Sequence, residues 1–112
     1  MPPQCSPYPR TAMAILHIDL QDGFSDDTVV VRVDGREVYR GDHVSTAMLL
    51  GFAHTFEVEV EGGRTVVDIA VPSRGWQERI AFDVTAAEVW LAVTLVRGGI
   101  VHHLSDQPFG YA

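Results

Sequence analysis

Apolar and polar residues alternate with a period of two along almost the whole chain, and glycine- or proline-containing breaks interrupt the alternation roughly every ten residues. A strand sends successive side chains to opposite faces, whereas a helix repeats every 3.6 residues, so this pattern restricts the chain to β structure with one buried face per strand. From Ala14 to Leu20 it sets Leu16, Ile18 and Leu20 on one face, with His17 and Asp19 on the other. Thr28 to Val33 continues it. Asp34-Gly35 then precedes Arg36 to Arg40, a strong signal for a two-residue hairpin, because a type I′ turn needs positive φ at both central residues. Thr55 to Glu61 and Arg64 to Val71, joined by Gly62-Gly63, read as a second hairpin. Pro72 to Gly75 breaks the chain. Gln77 to Val84 places Ile80, Phe82 and Val84 together, and the longer Glu88 to Arg97 is closed by Gly98-Gly99 ahead of Ile100 to Leu104. Val44 to Phe52 reads as a short strand or an irregular crossing, too short between breakers for an ordinary helix.

About eight short strands spaced by turn residues predict an all-β domain, an antiparallel two-sheet Greek-key, Ig-like sandwich. At 112 residues, 46% of them hydrophobic, one core is affordable and a second is not. The expected limits are a flexible Pro-rich N-terminal tail over 1–12, the sandwich over 13–104 and a C-terminal tail over 105–112. The Thr28 to Gly41 segment, with its V-x-V-D-G-x-x-V-Y hairpin, resembles the opening of PEGA-like and transthyretin-like (carboxypeptidase-regulatory-like) sandwich domains. Together with the D-x-P-F-G-Y ending, Asp106 to Tyr111, it is also similar to small bacterial proteins of no known activity. These resemblances imply a sandwich fold and carry no catalytic residue with them.

Composition removes several function classes. The eight basic residues are all arginines, scattered singly against fifteen acids for a net charge of -7, so neither nucleic acid nor an anionic membrane is an expected partner. The longest apolar runs fall far short of a membrane-spanning helix. Cys5 is the one cysteine, which rules out an intramolecular disulfide, and the start of the chain lacks the pattern of a secretory signal. A cytoplasmic location is the expectation.

Three groups of residues suggest binding chemistry. Asp22, Asp26, Asp27 and Asp42 fall in turns that strand parity gathers at one end of a sandwich, and carboxylates from neighbouring loops suit calcium, which takes six to eight oxygens. The same residues are also ordinary turn formers. His17 and Asp19, two apart on a strand, leave one face ~7 Å from each other; with His102, if the first and last strands are neighbours, they make a zinc or copper site. Trp76, in a loop, and Tyr39, on a strand, are candidates for stacking on a sugar ring. No cofactor is firmly implied. Ser25, Ser45, Ser73 and Ser105 lie in turns with no general base fixed beside them, so an enzyme is not expected.

The strand from Glu88 to Arg97 is apolar on both faces, Val89, Leu91, Val93 and Leu95 on one and Trp90, Ala92, Thr94 and Val96 on the other. A strand of a two-layer sandwich needs one wet face, so the second is covered by the tail, through Phe109 and Tyr111, or by another subunit. The leading expectation is therefore a non-enzymatic binding or assembly module that contacts a protein partner or its own copy, possible homodimer included, through a sheet face or edge. The alternatives are a metal-binding sandwich and a carbohydrate-binding module.

Overall fold

In the computed structural model, which describes residues 13–47 and 53–107, the alternating segments become eight strands. They are β1 (Met13–Leu20), β2 (Asp27–Val33), β3 (Arg36–Val44), β4 (His54–Glu61), β5 (Gly63–Val71), β6 (Trp76–Val84), β7 (Glu88–Val96) and β8 (Gly99–Ser105). A single 3₁₀ turn, Pro72–Arg74, links β5 to β6. Two four-stranded sheets, ordered β4-β1-β7-β8 and β3-β2-β5-β6, face each other as a sandwich. The expected two-sheet β-sandwich is thus the observed fold.

The core follows from the alternation. Leu16, Ile18, Leu20, Val58, Val60, Leu91, Val93 and Leu95 point inward from one sheet, and Val29, Val31, Val33, Val67, Ile69, Val71, Ile80 and Val84 from the other. Each such side chain contributes about 1.5–3 kcal/mol on burial. Asp34 and Gly35 have φ values of 50° and 83°, as the predicted type I′ turn between β2 and β3 requires. One flank is sealed by aromatics: Tyr39 of edge strand β3 stacks on Phe56 and His54 of edge strand β4, both at 4.9 Å between centroids. The opposite flank, between β6 and β8, retains a cleft of about 230 Å³ whose apolar lining includes Phe82, Val89 and Leu104.

The topology departs from the sequence-based expectation in three ways. β1 pairs parallel with β7 (Ile15↔Glu88 to Leu20↔Val93), so the sandwich is antiparallel except at this one ladder. β4 and β5 are not a hairpin: β4 pairs with β1, β5 lies between β2 and β6, and Gly62 carries the chain from one sheet to the other. A glycine pair permits a tight turn but equally permits a crossover, and burial of both strands' apolar faces favoured the latter. Finally, β3 ends at Val44 and β4 starts beside the end of β1, with Leu20 opposite His54, so the intervening chain does not traverse the sheet. Residues 48–52 of that connection lie outside the described residues.

Because β4 starts at the end where β3 finishes, every later loop lies at the end opposite to the one that strict alternation, with a crossing at Val44 to Phe52, would give it. The end of the sandwich that holds residues 21–26 and 41–44 also holds Pro72–Gly75, whereas Glu61 to Gly63 lies at the opposite end with the Asp34-Gly35 turn.

Candidate functional site

At the loop end, the four aspartates expected to share a cation are engaged separately. Asp22 accepts from the Gly23 N–H at 2.9 Å, and Asp42 accepts from the Thr28 hydroxyl at 3.2 Å. Asp26 meets His43 Nδ1 at 2.5 Å, and both residues sit in left-handed backbone with φ of 53° and 58°. This hydrogen bond, with the Asp26 charge behind it, raises the His43 pKa above its ordinary 6.5. Asp27 is buried, and Arg74 grips it at 2.9 Å through Nε and 2.7 Å through Nη2. The Ser73 hydroxyl and the Ser25 N–H complete its shell, each at 2.9 Å. Burial pushes this carboxyl upward, but Arg74, Ser25 and Ser73 together outweigh burial and hold it below the usual 3.8. The loop end is therefore an ion-paired clasp between the two loops. Alternating the loops strictly between the two ends, with Val44 to Phe52 taken as a crossing, places Arg74 at the far end, which is why the sequence alone does not connect it to Asp27.

The outer face of the β4-β1-β7-β8 sheet is a second concentration of chemistry. His17 lies flat on Trp90, 4.6 Å between centroids with 5° between planes, because β1 and β7 place them directly opposite. Its Nε2 is 3.0 Å from Glu88 Oε1 and its Nδ1 3.5 Å from Glu57 Oε1, so a carboxylate faces each ring nitrogen. Asp19 shares this face, as the i, i+2 spacing predicted, and is buried and partnered. His102 does not join them. β7 separates β1 from β8, and His102 pairs with Val93, an inward position, whereas His17 faces outward. The three-residue metal set is thus not assembled, and among the described residues no group of three or more His, Cys, Asp or Glu is placed to hold a metal ion.

Trp90, Thr94 and Val96 share that outer face as predicted, and the β7–β8 register adds Val101, opposite Thr94. Val96 and Val101 are 43% and 45% exposed, so an apolar strip reaches solvent along the β7–β8 side of the sheet. The β4 side of the same face carries Glu57, Glu59 and Glu61. Alternation alone does not single out Val101, because its exposure follows from β8 being an edge strand, and strand order is not legible in the sequence. The turn residues between β7 and β8 are Arg97 and Gly98, and β8 begins at Gly99 rather than after it. Phe109 and Tyr111, the expected cover for this face, lie outside the described residues.

The remaining aromatic candidates are packed. Tyr39 sits in the flank seal, its burial raising the phenol above its ordinary 10.0. Trp76 packs against the core, and the Arg74 guanidinium covers its ring at 5.1 Å. Ser45, Ser73 and Ser105 use their hydroxyls to hold turns: Ser45 accepts from the Asp26 N–H, Ser73 from the Thr28 N–H and Ser105 from the Gln107 N–H. No helix among the described residues is long and apolar enough to cross a membrane. Set beside known proteins, the chain matches no protein-family model and no curated protein sequence.

Proposed function

We propose that this chain is a non-enzymatic binding or assembly module, and that its contact surface is the β7–β8 side of the β4-β1-β7-β8 sheet together with the β8 edge. The observation that carries this reading is the strip of Trp90, Thr94, Val96 and Val101, apolar and partly open to solvent, beside an edge strand. Specific interfaces are centred on aromatic and aliphatic anchors of this kind with charge kept to the rim, and here Glu57 and Glu88 supply the rim. The outer face of the other sheet has a different character. Asp68 lies between Arg32 and Arg79, directly opposite each, and bonds Arg79 Nε at 2.9 Å, which keeps that face wet.

A photo-activatable crosslinking residue placed at Val101, and at Ala81 on the outer face of the other sheet, tests the assignment in cells that express the chain. The module reading expects discrete adducts from position 101 and none from position 81. Adducts from neither position, or equally from both, would remove it.

A further inference from the structure

The four edge strands are not equivalent. β3 carries Arg36, Glu37, Arg40 and Asp42, β4 carries Glu57, Glu59 and Glu61, and β6 carries Glu78, Arg79 and Asp83. Charges on an edge strand are the usual protection against pairing with another chain. β8, with the sequence Gly-Ile-Val-His-His-Leu-Ser, has no Asp, Glu, Lys, Arg or Pro. Its backbone polarity follows from its neighbours. The Gln21 N–H donates to the Val93 carbonyl and the Leu95 N–H to the Asp22 carbonyl, so the odd-numbered residues of β7 direct their backbone groups toward β1. The even-numbered ones then face β8 and bond Gly99, Val101, His103 and Ser105, opposite Val96, Thr94, Ala92 and Trp90. Ile100, His102 and Leu104 are left with N–H and C=O groups directed away from the sheet, where no strand among the described residues pairs with them.

We propose that the occupant of this edge is a second copy of the chain, its β8 running antiparallel to the first about a two-fold axis through His102, so that the two four-stranded sheets join into one. This rests on the module reading above and names its partner. The strand is nearly palindromic about His102. Ile100 would face Leu104 of the second copy, which matches apolar bulk to apolar bulk on the cleft side, and Val101 would face its His103 on the outer face. In this register all three outward-directed residues of each copy fall in hydrogen-bonded pairs, giving about six new backbone bonds. Charge points to the same edge. Two copies at -7 each repel, and β8 is the edge on which they meet without opposing charged strand residues, whereas a β4–β4 joint would oppose three glutamates on each side.

The test is the mass in solution by light scattering, from about 1 µM to about 1 mM, for the wild type and for His102→Pro. Proline at that position removes only an outward-directed N–H, which an edge strand tolerates. The wild type is expected to reach twice its 12.3 kDa mass, and His102→Pro to weaken dimerisation at least tenfold while its circular dichroism is retained. In a Cys5→Ser background, His102→Cys should crosslink to its own copy under mild oxidation, because opposed Cα atoms in a hydrogen-bonded pair lie about 5.5 Å apart. His103→Cys, off the axis, should not. A mass that stays monomeric throughout overturns the proposal. So does a dimer that survives His102→Pro without crosslinking at 102, although that outcome leaves the module reading with its sheet face. Adducts from position 101 that contain only other proteins likewise retire the second copy and keep the module.

Discussion

Asp27 is the residue whose environment is most specialised. A carboxylate this buried is costly unless its charge is paired and its oxygens satisfied, and here Arg74, Ser73 and Ser25 do both. Asp27→Ala leaves Arg74 reaching toward the Gly23 carbonyl with its carboxylate partner gone, and should cost about 3 kcal/mol in urea unfolding, the low end for a broken buried pair because Arg74 is partly exposed. The pH dependence has a definite sign. The folded-state pKa lies below the ordinary carboxylate value of 3.8, so the ionised clasp contributes fully above that value and is lost as pH falls through the folded pKa. Wild type and Asp27→Ala should therefore differ most near neutrality and converge below about pH 4. A gap that persists in acid would show that the pair is not what holds the two loops.

Among the elements, the turns carry the sharpest constraints. Gly23 has φ of 87°, and a Cβ there would lie 1.9 Å from the Leu95 carbonyl oxygen, which belongs to the strand that hydrogen-bonds Asp22. Gly35 has φ of 83° with nothing within 4 Å of where a Cβ would be. Gly23→Ala therefore combines backbone strain with a steric clash and should lose roughly 2–4 kcal/mol, whereas Gly35→Ala carries strain alone and should lose about 1 kcal/mol. Chemical denaturation of the two variants side by side checks this, and equal losses would contradict the close approach at Gly23. The difference was invisible in sequence, where both are simply glycines after aspartate.

For the whole molecule, the controlling feature is the parallel β1–β7 ladder. It joins segments about seventy residues apart, and the chain between them must form or collapse before the central pairing of one sheet exists. Folding should accordingly take milliseconds to seconds after dilution from denaturant, followed by tryptophan fluorescence in a stopped-flow instrument. A refolding phase complete within microseconds would mean that local hairpins, not this long-range ladder, limit assembly.

Period-two alternation determined the all-β class, the inward residues of each strand and the Asp34-Gly35 turn, because which side chains must leave water and which turn residues accept positive φ are local properties. The same alternation put Trp90, Thr94 and Val96 on one face and His17 beside Asp19. Which strands neighbour one another was not local. A Gly-Gly step serves a hairpin or a crossover equally well, and the connection after Val44 returns to the end it left. Only burial of both sheets' apolar faces in a single core decided that β7 separates β1 from β8. That decision removed His102 from the His17 site, brought Arg74 to Asp27, and left β8 as an uncharged edge.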